Sequence, residues 1–224
     1  MSPEPLIQLG AAAGLRRRAS PPSGRRGRPR PAAGDPKRIR GAIQRLALIF
    51  HRRWSAPILS EMLRGDTHPG GIKFITLAQR LGLSHDSLHA TLKYLIAQDY
   101  VMRNPGYGHA MRPEYLLAES GYEVAPACRR LLQEAHALGW TEIILKKWSM
   151  PALYAVGKDL ARFSELKAAL PAITSRALTL SLKQLVAAGL LRRAVIESFP
   201  PTTMYTATAA AKPLLTVLNE FSAD

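Results

Sequence analysis

Leucines recur at helical spacing in two stretches of this chain, and each stretch reads as a helix with one apolar face. In 173–191, ITSRALTLSLKQLVAAGLL, the stripe is Leu178, Leu182 and Leu185. At about 100° per residue, Arg176, Thr179, Leu180 and Lys183 fall on the opposite side. Thr174 is placed to cap the helix start, because its hydroxyl can accept from an unpaired first-turn N–H. Gly189 ends the helix, and Leu190-Leu191 opens a short apolar run. In 83–101, LSHDSLHATLKYLIAQDYV, the stripe is Leu88, Leu92 and Leu95, opposite Asp86, His89, Ala90 and Lys93. A third apolar set, Ile43, Leu46, Ala47, Ile49 and Phe50, predicts helix over 37–65.

The neighbours of the two leucine stripes also match. KKWSMPAL at 146–153 echoes RRWSAPIL at 52–59, with Trp148 for Trp54 and Pro151 for Pro57. RFSELKAALP at 162–171 echoes KFITLAQRLG at 73–82, with Phe163 for Phe74 and Leu166 for Leu77. The stripes themselves stand about ninety residues apart, which reads as an internal duplication. Downstream of the second stripe, LLRRAVIESFPPTTMYTAT at 190–208 predicts two short strands around a Pro-Pro turn. Downstream of the first, NPGYGHA at 104–110 reads as a wing-like turn.

Four ordered segments carry a resemblance. They are Lys147-Trp148 before a helix, Arg162 to Leu166 opening the next, Ile173 to Thr179 opening the leucine-striped one, and Pro200-Pro201 leading to Tyr205 and Thr208. Together they resemble the winged helix-turn-helix of the HxlR-type bacterial transcriptional regulators. YLLAESG at 115–121 is similar to the Tyr-x-Leu-Thr-x-x-Gly that closes such a unit, with Ala118 in place of the threonine. YTATAAA at 205–211 keeps Tyr205 and Thr208 and has Ala211 in place of the glycine. The resemblance and the duplication imply a mainly α fold with small β-hairpin wings, built as two tandem winged helix-turn-helix domains. The expected division is a disordered basic arm at 1–36, a first unit at 37–124, a helical linker at 125–140 and a second unit at 141–224.

The resemblance implies a sequence-specific DNA-binding transcriptional regulator with double-stranded DNA as its partner. Helix-turn-helix proteins commonly present two recognition helices about one DNA turn apart. A tandem chain could do so alone, as a monomeric pseudo-dimer on an asymmetric site, or as a homodimer. On the second helix Arg176 is placed to pair with a guanine, beside Thr179 and Lys183, while Thr174 and Ser175 suit phosphates. On the first helix the candidates are Ser84, His85, Asp86, His89 and Lys93. Asp86 takes the Arg176 position; a carboxylate there is repelled by phosphate but can accept from a cytosine amine. Wing candidates are Arg192, Arg193 and Thr203 in the second unit, and Arg103, His109 and Arg112 in the first.

Charge agrees with a polyanionic partner. The 224 residues carry a formal net charge of +15, and about half of it lies in the Pro- and Gly-rich first forty. Arg26-Gly27-Arg28-Pro29 resembles an AT-hook, which lies in a narrow minor groove; plain phosphate attraction is the other role for such an arm. Arg26 and Arg28 are its candidate contacts. A lone cysteine, Cys128, predicts a buried or half-buried helical thiol and fits a reducing cytoplasm. No membrane span or signal peptide is expected, so the location reads as cytoplasmic and nucleoid-associated. No cofactor is expected. His85 and His89 have i, i+4 zinc spacing without a third ligand, and no catalytic motif is present. Trp54, Trp140 and Trp148 could line a pocket for an unknown small-molecule effector, or serve as core anchors. Two other function classes stand beside the regulator: an architectural DNA-binding protein with little sequence preference, and a protein-interaction module that has lost DNA reading.

Overall fold

The computed structural model describes residues 35–65, 71–104, 114–197 and 201–222. Helix α1 (Pro36–Ile49) begins where the Asp35 carboxylate accepts from the Lys37 N–H at 3.0 Å. Pro36 takes a first-turn place that has no intrahelical bond to lose. The helix expected over 37–65 is in fact two helices, since the chain turns between Phe50 and Trp54 before α2 (Ser55–Gly65). His51 N–H bonds back to the Leu48 carbonyl and Ser55 N–H to that of Arg52. Pro57 has no N–H to give, which costs nothing in a first turn and would break a continuous helix. Apolar residues are buried on both sides of the break, Ile49 and Phe50 before it and Ala56 after it, with His51, Arg52 and Arg53 exposed between them.

Strand β1 (Ile72–Lys73) leads into α3 (Phe74–Leu81), which ends at Gly82 with a left-handed φ of 61°. Helix α4 (His85–Ala97) follows, and Asp99 takes a φ of 58° before β2 (Val101–Arg103). Strand β3 (Glu114–Leu117) pairs antiparallel with both, giving the order β1-β3-β2. Helix α5 (Glu119–Ala137) starts one residue after the central strand β3. It runs on through Pro126 because Val124, Ala125, Cys128 and Leu131 are buried and the helix packs on α2.

The second half opens with α6 (Thr141–Ile144) and α7 (Ser149–Gly157), whose Pro151 again sits in the first turn. Helix α8 (Phe163–Ala169) is followed by Ala172 at φ 53° and then α9 (Ser175–Ala187). Gly189, at φ 73°, lets the chain leave α9 into β4 (Leu191–Ile196), as the sequence predicts. Strand β5 (Thr202–Ala207) pairs with β4 in register from Leu191↔Ala207 to Ile196↔Thr202, so the expected hairpin wing is present. An isolated bridge, Arg162↔Met204, adds one rung on the other side of β5. A 3-10 turn at Ala209–Ala211 feeds α10 (Lys212–Leu218), and a second at Asn219–Ser222 closes the described chain.

The described residues form one compact unit, and one continuous core runs through it. Helix α1 packs on α7 and on the closing turn, while α10 packs on α5. Polar ties follow the same seam. Arg53 donates to both carboxylate oxygens of Glu142 at 2.7 and 2.8 Å, Arg130 pairs with Glu220, and Arg38 donates to the Ser222 carbonyl at 3.2 Å. The basic arm lies outside the described residues apart from Asp35 and Pro36, of which Pro36 is helical; Arg26 and Arg28 fall with it. His109, Arg112 and Pro200 also lie outside them.

Candidate nucleic-acid interface

Helix α9 is held from behind and from its start. Leu178, Leu182 and Leu185 are fully buried, and Ser181 is nearly so. Thr174 caps the helix, its hydroxyl accepting from the Ala177 N–H at 3.2 Å. Lys167 of α8 donates to the Ile173 carbonyl, fixing the turn that precedes the cap. Glu165 accepts from the Ala161 and Arg162 N–H groups at 3.0 and 2.9 Å, so α8 is anchored too. With the leucines fixed inward, Ser175, Arg176, Thr179, Leu180 and Lys183 are exposed. The first turn presents N–H groups and a guanidinium, with no acidic side chain among them. Such a helix end attracts anions.

The wing stands beside this helix in the chain and is open to solvent. All of β4 after Leu191 is exposed, including Arg192 and Arg193. Adjacent strand residues point to opposite faces, so the two arginines diverge. Arg193 reaches across to the Thr203 hydroxyl at 3.4 Å. Tyr205 is buried on β5, and the Thr208 hydroxyl donates to the Gly189 carbonyl at 2.7 Å, pinning the hairpin base to the end of α9.

Helix α4 has the same frame with different chemistry. Leu88, Leu92 and Leu95 are buried, and the Ser84 hydroxyl caps the helix by accepting from the Ser87 N–H at 3.4 Å. Asp86, His89 and Lys93 are exposed, and Ala90 is half-buried. His85 packs its ring on Phe74 at 4.8 Å between centroids, stacks toward His89 at 6.2 Å, and lies 3.8 Å from the Asp86 carboxylate. Its faces are thus partly occupied before any ligand arrives. Arg103, opposite Tyr115 in the sheet, is exposed.

A group that the sequence showed only as an echo is the pair of turns before α2 and α7. Arg53 lies 5.4 Å over the Trp54 ring and Lys147 5.0 Å over that of Trp148. His51 stacks on Tyr94 of α4 at 4.9 Å, and burial with nearby Lys147 and Arg52 pushes its pKa below the usual value. The repeated basic-basic-tryptophan triplet was the available signal. Trp54, Trp140 and Trp148 are half-buried against the core. None of them lines the described cavity between α1 and the closing turn, whose walls include Arg38, Arg45 and Phe221.

Cys128 is fully enclosed in α5, and burial pushes its thiol pKa up to about 12. The thiolate is the reactive form, so raising the pKa suppresses it at neutral pH. Iodoacetamide is expected to leave the native chain unmodified and to alkylate it in urea; labelling of the native chain at an equal rate would show that α5 opens. Among the described residues no three His, Cys, Asp or Glu side chains are grouped to hold a metal ion, and no helix is long and apolar enough to cross a membrane.

Residues 143–223, from α6 to the closing turn, match the family model described as HxlR-like helix-turn-helix. The chain is 35% identical over 81 residues to the uncharacterized HTH-type transcriptional regulator YvaP of Bacillus subtilis, covering 36% of this chain and 75% of that protein. It is 38% identical over 84 residues to an uncharacterized HTH-type transcriptional regulator of Halalkalibacterium halodurans, covering 37% and 74%. A third relative, YkvN of Bacillus subtilis, is 35% identical over 79 residues, covering 35% and 67%. No solved structure matches the chain. On its capped, leucine-backed helix, its hairpin wing and these relatives, the chain belongs to the HxlR-like helix-turn-helix family.

Proposed function

We propose that this protein is a sequence-specific double-stranded-DNA-binding transcriptional regulator, not an enzyme, and that α9 is its principal reading helix. One observation carries the reading: inside the family-matched segment, α9 is locked by a buried leucine stripe and turns Arg176, Thr179 and Lys183 to solvent beside an exposed wing. Arg176, in the first turn, pairs bidentately with a guanine in the major groove. Thr174, Ser175 and the helix N-terminus meet phosphates, and Arg192 and Arg193 bring the wing to the backbone.

We extend the reading to a tandem pair of winged-helix units, 37–124 and 141–224, joined through 125–140 and acting as a covalent pseudo-dimer on an asymmetric site. Paired details about ninety residues apart support it. Ser84 and Thr174 cap α4 and α9 in the same way. Left-handed residues recur at Gly82 and Ala172, and at Asp99 and Gly189. Tyr100 N–H bonds to the Leu95 carbonyl and Leu190 N–H to that of Leu185. Ala118 N–H then bonds to the Tyr100 carbonyl and Thr208 N–H to that of Leu190. The Lys73↔Glu114 rung has its counterpart in Arg162↔Met204. In the first unit Ser84, His85, Asp86, His89, Lys93 and Arg103 then form the weaker or more selective reader, because Asp86 faces phosphates with the wrong sign. Arg26, Arg28 and Arg112 add phosphate contacts.

Footprinting on a duplex selected from a random pool tests this. One chain should protect two neighbouring major-groove segments about 10 base pairs apart. Protection of a single groove would remove the pseudo-dimer, and protection indifferent to sequence would favour an architectural role.

A further inference from the structure

Helix α9 carries one side chain on its solvent face that a phosphate-seeking surface does not need. Leu180 is 55% exposed, one helical turn beyond Arg176 and three residues before Lys183. Its neighbour Thr179 is less polar than its name suggests. The Thr179 hydroxyl donates to the Ser175 carbonyl at 2.8 Å, which uses its only proton. Along the face Leu180 is an apolar side chain between two cations, Arg176 and Lys183. The corresponding place on α4 is Ala90, which is half-buried. An exposed leucine on an ordinary surface is unremarked. This one sits where base edges would lie, and the one apolar group that a base pair presents in the major groove is the thymine C5-methyl.

We infer that Leu180 is a specificity-determining contact that reads a thymine methyl group close to, but not adjacent to, the base pair read by Arg176. The inference rests on α9 being a reading helix. Four residues of helix rise about 6 Å, so the thymine lies about two base steps from the guanine of Arg176. The chemistry recognised is a methyl group at C5, so cytosine and uracil are both rejected for the same reason.

The test uses the full chain and the duplex it selects from a random pool. Each thymine in the protected segment is replaced in turn by deoxyuridine, which removes the methyl group and keeps every hydrogen-bonding atom. At one or two positions the replacement should weaken binding about fourfold, the worth of one buried methyl-sized group. In Leu180→Ala the parent's preference for thymine over deoxyuridine at those positions should vanish, while discrimination at the guanine read by Arg176 persists. Circular dichroism should match the parent, since Leu180 is outside the core. A chain that selects a sequence but ignores every deoxyuridine replacement overturns the methyl contact alone. Unchanged methyl sensitivity in Leu180→Ala assigns the contact elsewhere and overturns it too. A chain that selects no sequence overturns the DNA reading and this inference with it.

Discussion

Gly121→Ala is expected to destabilise the protein by about 3 kcal/mol or more, at the upper end of overpacking penalties. A Cβ at position 121 would lie 2.0 Å from the Tyr100 carbonyl oxygen. That oxygen is backbone and already accepts from the Ala118 N–H at 3.1 Å, so it cannot swing aside as a side chain would. The Ser120 hydroxyl donates to the neighbouring Asp99 carbonyl, which ties the first turn of α5 to the start of β2. Relief requires the helix to lift off the sheet, and Leu117, whose side chain is also within reach of the new atom, would lose its packing. Gly41 gives the contrast. It lies in α1 with nothing near a new Cβ, so Gly41→Ala should stabilise, by up to about 1 kcal/mol of helix propensity. Urea midpoints should move in opposite directions for the two variants. Equal shifts would mean that α5 does not sit on β2 as described.

Leu182→Ala should cost about 2–5 kcal/mol, whereas Leu180→Ala, two residues away, should change stability by no more than about 0.5 kcal/mol. Leu182 is fully enclosed, and truncating it leaves a cavity between α9 and the elements it packs on, α7 foremost. Leu180 is more than half exposed and leaves none. The pair measures which face of α9 the core holds, and so which face is available to a ligand. If Leu180→Ala were the more damaging of the two, the helix would be rotated and Arg176 would not face outward.

What the sequence made legible and what it left obscure divide along the range of the interactions. The leucine stripes of α4 and α9, the Thr174 cap and the turn at Gly189 were readable because each depends on residues within one or two turns. The wing followed from two β-type runs around Pro200-Pro201. The break after Ile49 was not readable from period alone, because buried apolar residues resume at Ala56 after only a short exposed turn at His51 to Arg53. The seam between the halves was also hidden. Helix α1 rests on α7, α10 rests on α5, and Arg53 reaches Glu142, contacts between residues far apart in the chain. Helix α5 runs unbroken from Glu119 to Ala137, a continuity that composition near Gly121 and Pro126 disguises. At the candidate interface, sequence spacing put Arg176, Thr179 and Lys183 on one face. It could not show that the Thr179 hydroxyl is spent on the Ser175 carbonyl, or that His85 already rests on Phe74.

The measurement closest to the central claim is the affinity of Arg176→Ala for the selected duplex and for a scrambled one of equal length and composition. Arg176 is exposed in the first turn of a capped helix, and its side chain makes no ion pair among the described residues, so its removal should leave the fold intact. If α9 reads DNA, binding to the selected duplex should weaken by about 1–3 kcal/mol and preference should relax at one base pair. Binding to the scrambled duplex should change far less, as for the loss of one general cation. Undiminished affinity for the selected duplex would contradict the account, because the residue best placed to specify a base would then specify nothing.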